Sequence, residues 1–161
     1  MILKGYNQFL RDIFGKLENL KIDVRSYELD HIAYQASSDE DYDTLLPEFE
    51  KICDLLSEEV VGGRRVGIFK FKQPLVFENY SIPSVELIAP KQDQICPSAL
   101  EHAEFVIDTD FDTFLKKYPA IDWDTSDVDQ KDFPMIKLKV GKGLQVKFHL
   151  ESVLDIVEKI N

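Results

Sequence analysis

The chain has 161 residues, of which 44% are hydrophobic and 30% charged, a balance that supports a packed core and argues against disorder. Thirty acidic residues against nineteen basic ones give a formal net charge of -11. A field of that sign repels phosphate backbones and anionic lipid, so the expected partner is a small-molecule ligand, with no nucleic acid and no membrane. No apolar run reaches the ~18 residues of a membrane helix, and the N-terminus lacks a basic stretch followed by an apolar one. The two cysteines, Cys53 and Cys96, have no CxxC partner and read as reduced thiols, which together predicts a cytoplasmic monomer or homodimer.

In chain order, Tyr6, Phe9, Leu10, Ile13, Phe14, Leu17 and Leu20 recur at helical spacing and predict an N-terminal helix within residues 1–24. A strand follows at 29–36. A second helix starts near Ser38 or Asp39 as cap, with Tyr42, Leu45, Leu46, Phe49, Ile52, Cys53 and Leu56 on its buried face. After the Gly62-Gly63 turn, strands are expected at 66–71, 75–80 and 85–89. The loop from Pro90 to Pro97 separates a first module, 25–92, from a second, 93–151. There the pattern restarts with a strand at 100–107 and a short helix capped by Asp110. An Asp-rich stretch with an irregular strand follows, then strands at 134–140 and 144–150. Ser152 and Asp155 form a capping-box pattern for a C-terminal helix, 152–161, whose Val153, Ile156, Val157 and Ile160 face inward.

The two modules echo each other. Leu29-Asp30-His31-Ile32-Ala33 and Leu100-Glu101-His102-Ala103-Glu104 each place leucine, an acid and histidine at the start of a strand that leads into a helix and further strands. The fold class expected is therefore α+β: two βαβββ modules forming a cupped, half-barrel mixed sheet with helices on the outside, plus N-terminal and C-terminal helices.

Strand alternation then sorts the side chains. Leu29, His31, Ala33 and Gln35 share one face, away from the helices, as do His102 and Glu104 in the second module. Glu86 lies between the core residues Val85 and Leu87, where an acid is costly unless it is paired, hydrogen-bonded or bound to metal. In the last strand Gln145, Lys147 and His149 share a face. His31, Glu86, His102, Glu104 and His149 thus become neighbours in one cavity, and they include all three histidines of the chain. Two imidazoles with a carboxylate suit a divalent metal ion such as zinc, nickel, manganese or iron. Their support is strand phase and repeat position, since no short ligand spacing joins them. Glu86 has a competing role as partner of a basic side chain, and His149 as a strand-end cap. Glu104 fits a general base, a group orienting a histidine, or an exposed acid. Arg64, after the Gly-Gly turn, is placed to bind an anionic ligand group, although an exposed turn arginine is the commoner case.

These motifs resemble the vicinal oxygen chelate superfamily, which includes glyoxalases, extradiol dioxygenases, isomerases and epimerases, and bleomycin-resistance proteins. Within it the chain is similar to the YecM-like group through LDHIAYQ, LLSEEVVGGRRVGIFKFKQPL, SVELIAPK, LEHAEFVI and VKFH. The resemblance implies a single domain with metal ligands on the first and last strands of each module, matched here by His31, Glu86 and His102. It departs at the fourth corner, where the superfamily often has glutamate and this chain has Lys147, leaving His149 or solvent as the fourth ligand. A protonated lysine does not bind metal. The function implied is a metal-dependent isomerase or lyase acting on a small oxygenated substrate, less favourably an oxygenase, with Glu104 as candidate catalytic base. The alternative is a non-catalytic small-molecule binding or sequestering protein on the same scaffold.

Overall fold

Residues 2–161 are described by the structure, a computed structural model. Four helices accompany one seven-stranded sheet of order β2-β3-β4-β1-β5-β7-β6. The strands are β1 (Glu28–Gln35), β2 (Cys53–Val61), β3 (Arg64–Phe77), β4 (Tyr80–Ile88), β5 (Ala99–Val106), β6 (Met135–Gly141) and β7 (Leu144–His149). The helices are α1 (Tyr6–Asn19), α2 (Asp39–Glu50), α3 (Phe111–Lys117) and α4 (Val153–Ile160). The architecture is the α+β cupped sheet expected. β1 and β5, the strands of the echo, meet antiparallel at its centre, and each is flanked by the last strand of its own module, parallel to it: β4 beside β1, β7 beside β5.

The main core lies on the convex side. Phe9, Leu10, Ile13 and Leu17 of α1, Tyr42 and Phe49 of α2, and Phe114 of α3 pack on Ile32, Val85, Leu87, Ala103, Phe105 and Phe148 of the sheet. Ser38 caps α2 by accepting from the Asp41 amide at 3.0 Å, and Asp110 caps α3 by accepting from Thr113 at 2.7 Å. Among the described residues no helix is long and apolar enough to cross a membrane.

Several elements differ from their expected form. The second helix ends at Glu50, and Cys53 and Leu56, expected on its face, belong to edge strand β2. Their helical spacing is real, but the free edge of β3 captures them: Cys53 pairs with Phe71 and Leu55 with Phe69. The strand expected at 66–71 and the first half of the one expected at 75–80 form one long β3, interrupted by a register shift between Lys70 and Leu75 around Pro74, which has no N–H for the ladder; a turn at Glu78-Asn79 ends it, and Tyr80 opens β4. The irregular strand of the Asp-rich stretch is reduced to an isolated bridge between Asp124 and Lys137. Finally, α4 does not join the other helices. Its Val153 and Val157 pack with Ile68 in a small separate cluster, so α4 covers part of the concave face.

Candidate metal centre

The four central strands carry the site. β1 contributes His31, β4 Glu86, β5 His102 and Glu104, and β7 Lys147 and His149. His31 faces Glu104 directly across the β1–β5 ladder, and Glu104 faces Lys147 across the next. All but Glu86 are buried, and Glu86, only slightly exposed, lines a cavity of about 360 Å³.

Two β-bulges shape this centre. Across the β1–β5 ladder, Leu29 pairs with Phe105 and His31 with Glu104, so Asp30 is the extra residue; Ala33 pairs with His102 and Tyr34 with Leu100, so Glu101 is the extra residue. A bulge breaks the alternation of faces and re-aims side chains. It sends Leu29 into the convex core, against the expected shared face with His31. It also turns each acid back toward the histidine that follows it. Asp30 Oδ2 accepts from His31 Nδ1 at 2.7 Å, and Glu101 Oε2 is hydrogen-bonded to His102 Nδ1. With Nδ1 engaged by a carboxylate, each ring presents Nε2 as its free donor atom.

Those two Nε2 atoms converge on one carboxylate. His31 Nε2 is 3.3 Å from Glu86 Oε1, and His102 Nε2 is 3.5 Å from Glu86 Oε2. Both nitrogens are buried without a well-formed hydrogen bond, although Glu104 Oε2 lies 2.9 Å from that of His31. The donor atoms of His31, Glu86 and His102 all lie within 4.8 Å of one another. Ligands at ~2.1 Å from a tetrahedral ion stand about 3.4 Å apart, so this donor set fits a divalent ion. Orphaned buried nitrogens are rare in folded proteins, and an ion is one of the few groups that satisfies them.

Glu104 Oε2 approaches His31 Nε2 to 2.9 Å and His149 Nδ1 to 3.5 Å. The structure brings His149 to the same face but to a different corner, where it groups with Asp30 and His31. Its Nε2 is 3.5 Å from Asp30 Oδ2. Asp30 Oδ2 also accepts the Val153 amide at 3.0 Å, tying the first turn of α4 to the ring of His31. Arg64 lies on the cavity wall, with Gln35 Oε1 at 3.4 Å as its side-chain partner.

The acids and imidazoles of the site stabilise one another's charged forms. Burial alone would raise the carboxylates, yet the imidazoles beside them outweigh it: Glu86 falls well below the ordinary carboxylate range, and Glu104 and Glu101 are lowered to about 2. Burial likewise opposes protonation of His31, but Glu104, Glu86 and Asp30 overcome it and push the ring well above the usual imidazole value. Four carboxylates therefore surround three imidazoles, and the positive charge of a protonated ring such as His31 is what stabilises them. Asp30 and Glu101 escaped the sequence reading as functional groups, although the signal was visible as the acid before each histidine of the echo. What hid them was alternation, which assigns neighbours in a strand to opposite faces.

Known proteins agree with this picture at the level of fold. A protein of Escherichia coli, Protein YecM, is 26% identical over 164 residues, covering 93% of this chain and 87% of that one. An uncharacterized protein of Haemophilus influenzae is 29% identical over 115 residues, covering 71% of this chain but only 58% of that relative's length. The solved structure of structural genomics protein EC4020 superposes with a TM-score of 0.81 at 23% identity, covering 99% of this chain and 91% of that one. A methylmalonyl-CoA epimerase (TM-score 0.53, 16% identity, 76% and 93% covered) and the catechol dioxygenase BphC (0.51, 13%, 78% and 40%) share the fold. That fold is the vicinal oxygen chelate fold, and the family described as YecM protein matches residues 1–159. The chain belongs to the YecM family.

Proposed function

We propose that this protein binds a divalent metal ion through His31, Glu86 and His102 and acts on a small oxygenated substrate as an isomerase or lyase. The observation that carries the reading is the convergence of two unsatisfied, carboxylate-oriented imidazole nitrogens on the two oxygens of Glu86. Bound there, the ion would supply a Lewis acid for a substrate oxygen. Asp30 and Glu101 engage Nδ1 of each ring and so direct Nε2 toward the ligand site, where an ion would displace the proton that the surrounding acids hold on His31. Glu104 is ionised at neutral pH and lies beside the donor set, the position and protonation state a general base requires. The α4 helix and the walls of the cavity limit access of water to that carboxylate.

A second reading, a binding or sequestering protein without chemistry, draws on one observation. A carboxylate lowered to about 2, as Glu104 is, makes a weak base.

Elemental analysis and calorimetric titration of the purified protein, beside His31→Ala and His102→Ala, test the metal site. Uptake of about one ion per chain, lost in both variants, is expected. A wild-type protein that takes up no divalent ion after reconstitution ends the proposal, and uptake that survives both substitutions ends the ligand assignment. A substrate screen on the loaded protein then separates enzyme from binder.

A further inference from the structure

Two cations on the cavity wall, Lys147 and Arg64, have no carboxylate within ion-pair distance among the described residues. Lys147 is 8% exposed, yet among the described residues it makes neither an ion pair nor a hydrogen bond. Lysine is almost never this buried unless paired. Its ladder neighbours offer no pairing: Lys137 on one side is engaged by Asp127 at 2.6 Å, and Glu104 on the other faces His31 and His149. Arg64, on the wall of the same cavity, has only the neutral amide oxygen of Gln35 as its side-chain partner. Its sequence neighbour Arg65, by contrast, is paired with Asp43 and Glu58. In a chain with thirty acidic residues and nineteen basic ones, two inward-facing cations left unpaired in one cavity form a built anion seat.

We infer that the cavity binds a small organic monoanion whose carboxylate rests between Lys147 and Arg64, next to the His31, Glu86 and His102 donors. Arg64 and Lys147 line the same cavity as Glu86 and Glu104. The choice of a singly charged carboxylate follows from the surroundings. Four carboxylates already crowd the centre, and two cations without any free backbone N–H cluster suit a monoanion better than a phosphate dianion. At α4 the first amides are taken by Asp30 and Ser152. This inference rests on the metal-site proposal only for the orientation of the ligand's remaining oxygens, while the seat itself stands on Lys147 and Arg64. It also gives the lysine at the fourth corner a role that a metal ligand there would not have.

The test is calorimetric titration of lactate into metal-free and zinc-loaded protein, with propane-1,2-diol as the neutral counterpart and inorganic phosphate as the competing anion. Lactate should bind at least tenfold more tightly than the diol, and Lys147→Gln should weaken lactate about tenfold while leaving the diol unchanged. Lys147→Arg, which keeps the charge, should retain most of the binding. Arg64→Gln, at a half-exposed position, should also weaken lactate and serves if the Lys147 variants do not fold. Equal binding of lactate and diol, or lactate affinity unaffected by Arg64→Gln and Lys147→Gln, overturns the inference. Tighter binding of phosphate than of lactate overturns the carboxylate assignment. Zinc titration of the same samples separates the two proposals. Lactate selectivity without zinc uptake sinks the metal site alone, and zinc uptake without lactate selectivity sinks the anion seat alone.

Discussion

Replacing Asp30 by asparagine tests whether this buried acid positions the site. The side chain is fully buried, and its Oδ2 accepts from His31 Nδ1 at 2.7 Å and from the Val153 amide at 3.0 Å. Asparagine is isosteric, so its oxygen can keep both contacts, but the charge is lost. A hydrogen bond to a charged group contributes about 1.5–3 kcal/mol against about 0.5–1.5 for a neutral one. The loss is then about 1 kcal/mol for each bond and about 2 kcal/mol in all. Removing a buried charge also removes a desolvation cost, which acts in the opposite direction. The sign is decided by the native carboxyl itself: burial would raise it, but His31, His149 and the Val153 N–H bring it below the ordinary aspartate value, so its interactions outweigh its desolvation. Asp30→Asn should therefore lower the unfolding free energy by about 2 kcal/mol in urea, or the melting temperature by roughly 4–8 °C. With the ring of His31 less firmly oriented, metal affinity by calorimetry should fall about 10- to 100-fold. A variant as stable as the wild type, or one with unchanged metal affinity, would refute the positioning argument.

Other consequences of the fold are testable alone. A Cβ on Gly67 would stand 2.7 Å from the buried Tyr42 hydroxyl and 3.0 Å from Phe69 Cε2, so Gly67→Ala should cost about 1–3 kcal/mol in denaturant unfolding, and a neutral result would show that this packing yields. Asp41 accepts from the Ser37 amide at 2.8 Å and from its hydroxyl at 3.1 Å; burial would raise its carboxyl, but these bonds hold it below its ordinary value. Asp41→Asn should cost about 1 kcal/mol at neutral pH. Because the native value is lowered, that difference is present above the unfolded value near ~3.9 and disappears as pH falls through the native value; a pH-independent difference would contradict it. Cys53 is buried and pushed up to about 12 by that burial, so iodoacetamide at pH 8 should leave it unlabelled by mass spectrometry until urea unfolds the chain; labelling in the native state would mean the N-terminal end of β2 opens.

Much of this protein is legible in its sequence, because the helical spacing of Phe9, Leu10, Ile13 and Leu17 and the alternation around His102 record which side of each element meets the core. The echo of LDHIA and LEHAE was enough to place His31 and His102 at equivalent points of two modules, and the isolated acid in VEL was enough to add Glu86. What periodicity could not reveal was the pairing of backbones. The apolar residues Cys53 and Leu56 continue the helical period of α2, and only the free edge of β3 makes them part of a strand. The bulges at Asp30 and Glu101 are likewise invisible to alternation, since they exist only where β1 and β5 lie side by side with one residue too many. The sequence by itself determined the ingredients of the site, three imidazoles and several acids on inward faces. The tertiary structure decided their division of labour, because distances across a sheet depend on register and twist: Glu86 meets both histidines, His149 turns to Asp30, and Lys147 is left facing the cavity without a partner.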